Sequence, residues 1–315
     1  MTSSFVQITV NQGVTLAVTL ILMALTIPCS AADGNVFIAT WNGGKILEYS
    51  STGTFIRTLT TGGAAGTFFP YDLTFGADGM LYAANNRGNL EKFNPNTGAY
   101  LGSVGTIPLA AFGPLGITLG PDHDLYVTTQ QALIYKVDPV TNATTLIPSA
   151  HQIPWDLAFR PNDGVLLGTF GSQNKVIDAL SGAAVANGFI LFKGLAFGKD
   201  GRLYCADQNN IRVISGYGVN ETATNFTSPN SVKNAQYLAF ALSGNLYVTS
   251  FNDHKVDVFN NTGSLISSFT TSVSGVPTGG YGVAVQNIAA PEPGTLALVG
   301  CMILPYVSRR NKIKR

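Results

Sequence analysis

Charge is scarce in this chain. Only 11% of its 315 residues are Asp, Glu, Lys or Arg, and none of these occurs before Asp33. Of the 18 basic and 17 acidic residues, five and one fall beyond residue 290, so the body between 33 and 290 sits near −3. Nothing forms the basic stripe that a phosphate backbone requires, which excludes a nucleic-acid partner. Cysteine is just as rare, at Cys29, Cys205 and Cys301. No disulfide framework is available, and Cys205 reads as a small buried hydrophobe. The chain also lacks a Gly-x-Ser-x-Gly elbow, a phosphate loop and any Cys/His cluster at metal spacing. Glycine, by contrast, is abundant (35 residues), and aromatics reach 10%. That balance describes a compact, turn-rich β protein.

What is present is a repeated phrase. Asp78-Gly79-Met80-Leu81-Tyr82, Asp163-Gly164-Val165-Leu166-Leu167, Asp200-Gly201-Arg202-Leu203-Tyr204 and Ser243-Gly244-Asn245-Leu246-Tyr247 share one pattern. Asp33-Gly34-Asn35-Val36-Phe37 and Asp122-His123-Asp124-Leu125-Tyr126 are degenerate copies. The Asp-Gly pair turns the chain, because glycine accepts the positive φ that tight hairpins demand. A short apolar strand precedes every such turn but the first, as in Leu73–Phe75, and a third strand follows, as in Lys45–Tyr49. A second turn (Thr52-Gly53, Thr97-Gly98, Thr141-Asn142, Ser181-Gly182, Thr262-Gly263) leads into a fourth.

Four antiparallel strands recurring every 45, 44, 41, 37 and 43 residues predict the blades of a six-bladed β-propeller. The fold class is therefore all-β. The first phrase lacks its upstream strand, and that strand reappears without a phrase at residues 281–285. Pairing the C-terminal strand with the blade that begins at residue 34 would close the ring. Residues 33–287 are the expected propeller, 1–32 and 288–315 its flanks.

With Pro114-Leu115-Gly116-Ile117 or Pro70-Tyr71-Asp72-Leu73 ahead of the phrase, the units resemble NHL-type repeats. They are also similar to the wider propeller group of gluconolactonase, regucalcin and streptogramin lyase. The resemblance implies a ligand at the central channel, where loops into the inner strands converge. Tyr71, Asp72, Trp155, Asp156, Lys193, Gln236, Tyr237 and Tyr281 would line that mouth, with Asn42, Asn85, Thr129, Asp207 and Asn252 on the loops after the second strands. The plainer reading has the aromatics wedging blades apart while Asp72 and Asp156 accept backbone N–H bonds. Asp72, Asp156 and His151 are the candidate catalytic groups. Ca²⁺ could be held by the two aspartates with asparagines, although none of the body's three glutamates, Glu48, Glu91 and Glu221, falls where the lactonases of this group place theirs. No cofactor is otherwise expected. The functional expectation is a non-catalytic module binding a glycan, a small molecule or a surface protein; the alternative is a metal-assisted lactonase, hydrolase or lyase.

The termini read as an address. Val14 to Ile27 is apolar and is followed by small residues, Ser30 and Ala32, which suit a signal peptide helix cleaved before Asp33. Pro291-Glu292-Pro293, an apolar segment over 294–307 expected as a short helix, and a basic end with Arg309 and Arg310 together resemble the PEP-CTERM sorting signal of Gram-negative bacteria. That resemblance implies an exosortase-type processing partner, transient insertion of the tail in the inner membrane, and delivery to the cell surface or extracellular matrix. There, polysaccharide or surface proteins would be partners. The apolar stretch is short against the ~20 residues of a full span; a permanent single-pass anchor is the alternative.

Overall fold

A computed structural model describes residues 33–40, 43–61, 68–108, 113–149, 154–170, 175–187, 189, 192–214, 221–273 and 275–287. The expected signal helix, the sorting tail with Pro291, Glu292, Pro293, Arg309 and Arg310, and the positions Asn42 and His151 lie outside the described residues. Among the described residues no helix is long and apolar enough to cross a membrane.

The chain forms a six-bladed β-propeller. The first blade holds β1 (Val36–Thr40), β2 (Lys45–Tyr49) and β3 (Phe55–Leu59); the second β4 (Pro70–Phe75), β5 (Leu81–Asn85), β6 (Leu90–Phe93) and β7 (Tyr100–Val104). The third holds β8 (Pro114–Leu119), β9 (Leu125–Thr129), β10 (Ile134–Val137) and β11 (Thr144–Ile147). In the fourth are β12 (Pro154–Phe159), β13 (Leu166–Phe170), β14 (Lys175–Asp178) and β15 (Ala184–Asn187). The fifth comprises β16 (Phe192–Phe197), β17 (Leu203–Asp207), β18 (Asn210–Ile214) and a two-residue outer strand, β20 (Thr224–Asn225). In between, β19 (Glu221–Thr222) leaves its own blade and runs parallel to β15, pairing Ala186 with Glu221. Glu221 thus lies on an edge strand of the fourth blade. The sixth blade holds β21 (Ala235–Phe240), β22 (Leu246–Ser250), β23 (Lys255–Phe259) and β24 (Leu265–Thr270), and a small hairpin, β25 (Ser272–Val273) with β26 (Val276–Pro277), follows.

β27 (Val283–Val285) then closes the circle. It pairs antiparallel with β1 through Val36↔Val285, Phe37↔Ala284 and Ile38↔Val283, and becomes the innermost strand of the first blade. The expected permutation by one strand is the one observed.

The repeated phrase has a local cause. Its second position has φ of 73° at Gly79, 72° at Gly164, 74° at Gly201, 93° at Gly244 and 69° at His123. The aspartate ahead of it then reaches the tyrosine at the end. Tyr82 donates to Asp78, Tyr126 to Asp122 and Tyr204 to Asp200, each at 2.8 Å. A cation from the same blade completes each clamp: Lys92, Lys136 and Arg202 at 2.8, 2.7 and 2.6 Å. These groups are partly exposed, so each ion pair contributes a fraction of a kcal/mol, ~0.2–1. The apolar core lies between blades. Phe37, Ala39, Ile46 and Leu59 of the first blade pack with Leu73, Leu81, Ala83 and Phe93 of the second, and burial of such side chains, ~1.5–3 kcal/mol each, is what holds neighbouring blades together.

Candidate functional site

Six inner strands (β4, β8, β12, β16, β21 and β27) surround the axis, each beside the next. In the five that precede β27 the ladder slips at one place: between Pro70 and Asp72, Pro114 and Ile117, Pro154 and Leu157, Phe192 and Leu195, and Ala235 and Leu238. A bulge re-aims side chains and frees amides. In the third, fourth and sixth blades a threonine of the second strand accepts those amides. Thr128 takes Gly116 N–H at 2.9 Å, Thr169 takes those of Trp155 and Asp156 at 3.1 and 3.0 Å, and Thr249 takes Tyr237 N–H at 3.1 Å. These threonines escaped the sequence reading. Their signal is a Thr two residues after the phrase's last position, where the other blades carry Ala39, Ala84 and Ala206.

Two layers result. The deeper one contains Asp72, Gly116, Asp156, Gly194, Tyr237 and Gly282, a strict alternation of a larger residue with glycine around the axis. The glycines are obligatory. A Cβ on Gly116 would lie 2.8 Å from Asp156 Cα, one on Gly194 2.7 Å from Tyr237 Cα, and one on Gly282 2.4 Å from Asp72 Cα. Each glycine therefore seats the larger residue of the following blade.

Asp72 Oδ2 accepts Ile117 N–H at 3.0 Å, and Asp156 Oδ2 accepts Leu195 N–H at 2.8 Å while its Oδ1 accepts Leu157 N–H at 2.7 Å. Both carboxylates are thus blade-to-blade staples, as the plainer sequence reading had it. They also feel one another. Burial and then the Asp156 charge push Asp72 well above the usual carboxylate range. Burial pushes Asp156 up to about 7, against the lowering effect of its two amide partners. Tyr237, fully buried, crosses the axis to donate to Trp155 O at 3.2 Å, and burial raises its phenol further above its usual value.

The outer layer is the expected mouth. Tyr71 stacks toward Trp155 (centroids 6.3 Å apart, planes at 23°) and packs on Tyr281 at 4.8 Å; Phe251 meets Tyr281 edge-on at 5.1 Å. Lys193 projects among these rings. Its Nζ is 5.4 Å from the Trp155 centroid and 5.3 Å from that of Tyr281, and it donates to Gln236 Oε1 at 2.5 Å. The Gln236 amide is held in turn by Asn234, through Nε2 bonds of 2.8 and 3.1 Å. Burial lowers the Lys193 ammonium to about 8. Trp155 and Lys193 remain partly exposed, whereas Tyr71, Gln236, Tyr237 and Tyr281 are buried.

Beneath the Asp72–Asp156–Tyr237 layer, away from the mouth, a cavity of about 270 Å³ runs past Thr74, Thr118 and Phe240 to Asn287. The other expected positions are engaged in structure. Asn85 Oδ1 accepts Phe69 N–H at 3.0 Å while its Nδ2 donates to Glu91. Asp207 is buried and faces Arg212 at 3.5 Å, Thr129 bonds Leu133, and Asn252 accepts from Asn234 at 3.3 Å. Glu48 is taken by Arg57 and Asn35, and Glu91 by Tyr100 and Ser103 as well as Asn85. Among the described residues no group of three or more His, Cys, Asp or Glu is placed to hold a metal ion. Ca²⁺ takes ~6–8 oxygen ligands; Asp72 and Asp156, bonded to amides, do not fit that demand.

No family model matches this chain, and no curated protein matches its sequence. Solved structures do. A chain of a nidogen–laminin complex superposes with a TM-score of 0.64 at 16% identity, covering 80% of this chain and 98% of that one. Virginiamycin B lyase from Staphylococcus aureus superposes with a TM-score of 0.53 at 17% identity, covering 78% and 86%. A protein of unknown function from Bacteroides caccae gives 0.60 at 11%, covering 82% and 100%. The likeness establishes a β-propeller. At these identities it carries the fold alone, because one scaffold hosts enzymes and binders alike.

Proposed function

We propose that this protein is an exported, non-catalytic binding module at the cell surface or in the extracellular matrix, whose channel mouth takes a saccharide. The observation that carries this reading is the outer layer itself. Tyr71, Trp155 and Tyr281 gather their rings around one opening, with the Lys193 ammonium and the Gln236 amide among them. Binding sites of this kind combine apolar walls with a few fixed polar groups. A sugar ring offers an apolar C–H face to an aromatic such as Trp155 and hydroxyls at its edge to amides. The address comes from the terminal patterns: an apolar leader, then the Pro291-Glu292-Pro293 tail for an exosortase-type enzyme. The reading requires no cofactor.

The test is retention of the purified chain on extracellular polysaccharides, with Trp155→Ala as the control. Binding that falls at least tenfold in the variant supports the reading; indifference to every polysaccharide defeats it. A second reading, a lactonase or lyase, draws on one observation: Asp156, held to about 7 beside Asp72, lies in the range of a general acid or base. Turnover of a lactone that disappears in Asp156→Asn would favour it.

A further inference from the structure

Of the six outer-layer positions, five carry uncharged side chains: Tyr71, Leu115, Trp155, Gln236 and Tyr281. The sixth is Lys193. Its strand, β16, enters the channel between β12, which brings Trp155, and β21, which brings Gln236. An ammonium has three N–H donors. One goes to Gln236, and the remaining surroundings are the faces of Trp155 and Tyr281. Among the described residues no carboxylate pairs with it: none of the ion pairs includes Lys193. The nearest layer of acid, Asp72 and Asp156, is turned to the backbone amides of Ile117, Leu157 and Leu195.

A partly buried cation faced by π-systems and one amide is under-compensated. Aromatic faces return less to an ammonium than taking the ion out of water costs. Lys193 thus brings one positive charge to the mouth, while the body as a whole is near −3. That contrast matters for recognition. A polyanion gains nothing from the protein's net charge, so a preference for acid needs a local cation, and Lys193 is the one among the six outer-layer positions.

We propose that Lys193 is the subsite for the carboxylate of a uronic acid, so that the ligand at the mouth is a uronate-bearing polysaccharide. The proposal rests on the saccharide reading above and narrows it. Lys193 Nζ sits over the Trp155 ring, 5.4 Å from its centroid, so a uronate packed at the indole beside it can turn the C5 carboxylate at its own ring edge toward the ammonium. Gln236, fixed by Asn234, is left to accept from a hydroxyl once Lys193 turns toward the anion. One ion pair rather than a charged stripe also sets the salt dependence: weak, with a slope near one.

The deciding experiment compares three oligosaccharides of equal length by calorimetry: an oligouronate, its carboxyl-reduced neutral form, and a sulfated neutral form. Each is titrated into the wild-type chain, Lys193→Met and Trp155→Ala. Wild type is expected to bind the oligouronate at least tenfold more tightly than the other two. Lys193→Met is expected to equalise the three at the neutral affinity, and Trp155→Ala to lose all. Equal wild-type affinity for acidic and neutral forms overturns the carboxylate subsite and leaves the saccharide reading standing. Preference for the sulfated form also overturns it. No binding of any of the three removes the saccharide reading itself. The wild-type comparison needs no variant, so it decides even if Lys193→Met folds poorly.

Discussion

Asp33 accepts the phenolic proton of Tyr247 at 3.2 Å, across 214 positions of sequence. Tyr247 ends the one phrase that begins with Ser243, so its own phrase offers no carboxylate. Asp33 also takes Asn245 Nδ2 at 2.9 Å and Ser243 N–H at 3.3 Å. Its own phrase ends in Phe37, which has no hydroxyl to claim it. The first residue of the propeller thereby completes the last phrase. Asp33→Ala is expected to lower stability by about 0.5–1.5 kcal/mol, the net worth of an ordinary hydrogen bond, because Tyr247 keeps Ser51 O as a second acceptor at 3.3 Å. Urea unfolding checks it, and Asp33→Ala added to Tyr247→Phe should cost less than the two separate losses together.

The alternation around the axis makes two glycines behave differently. At Gly164 (φ +72°) a Cβ meets nothing within 4 Å; alanine there costs the left-handed backbone strain, ~1–2 kcal/mol, and asparagine, which tolerates that region, costs less. At Gly282 the new atom strikes Asp72 Cα at 2.4 Å and Leu73 N at 2.9 Å, backbone that cannot swing aside. Overpacking of this kind costs ~1–3 kcal/mol or more, and asparagine is worse than alanine. Opposite Ala-to-Asn orders in denaturant midpoints at the two positions are the expected result.

Asp72 and Asp156 give stability a pH slope. Both are raised above the unfolded value of 3.8, Asp156 to about 7. Between these limits the folded protein keeps protons that the unfolded chain releases, so stability falls as pH rises from about 4 to about 7. Asp257, also raised, adds to the same slope. Asp78, Asp122, Asp163 and Asp200 are lowered, and their contribution is lost only as pH falls below about 4. Thermal midpoints at pH 5 and pH 8 should differ less in Asp156→Asn, which removes one titrating group and the like charge acting on Asp72. An unchanged difference would refute the assignment.

Ring closure rests on three residue pairs between β27 and β1, extended by backbone bonds of Ala39 with Tyr281 and Gly282 and of Gln286 with Asn35. Val283 is buried against Ile38. Val283→Asp places an unpaired charge there and is expected to destabilise by about 4 kcal/mol or more. Amide exchange of residues 36–40 should accelerate before that of β22, and equal protection of both would argue against a separable seam.

Much of this was legible because the phrase is its own local structure. Asp78, Gly79 and Tyr82 lie within five residues, so the turn and the strand pair show in sequence, whereas the clamp that Lys92 completes on Asp78 and Tyr82 emerged only in the structure. The permutation showed for the same reason: Val283 has the pattern of an inner strand with no phrase after it. The candidate mouth followed from the register, which brings Tyr71, Trp155, Lys193 and Tyr281 together. What did not show depends on neighbours far along the chain. Asp72 serves an amide at Ile117, Asp33 serves Tyr247, and β19 joins the blade before its own. Nor did the register reveal that Asp72, Asp156 and Tyr237 form a floor between the mouth and a cavity beyond it.

The alternation of bulk and glycine has a consequence for how such a wheel can change size. Two consecutive blades form the smallest interchangeable module, one carrying the plug and one the socket. Duplicating or deleting a single blade would set two plugs, or two sockets, side by side, and parity alone would forbid a five- or seven-membered variant built from these inner strands. A wheel rebuilt from these inner strands therefore keeps an even number of blades.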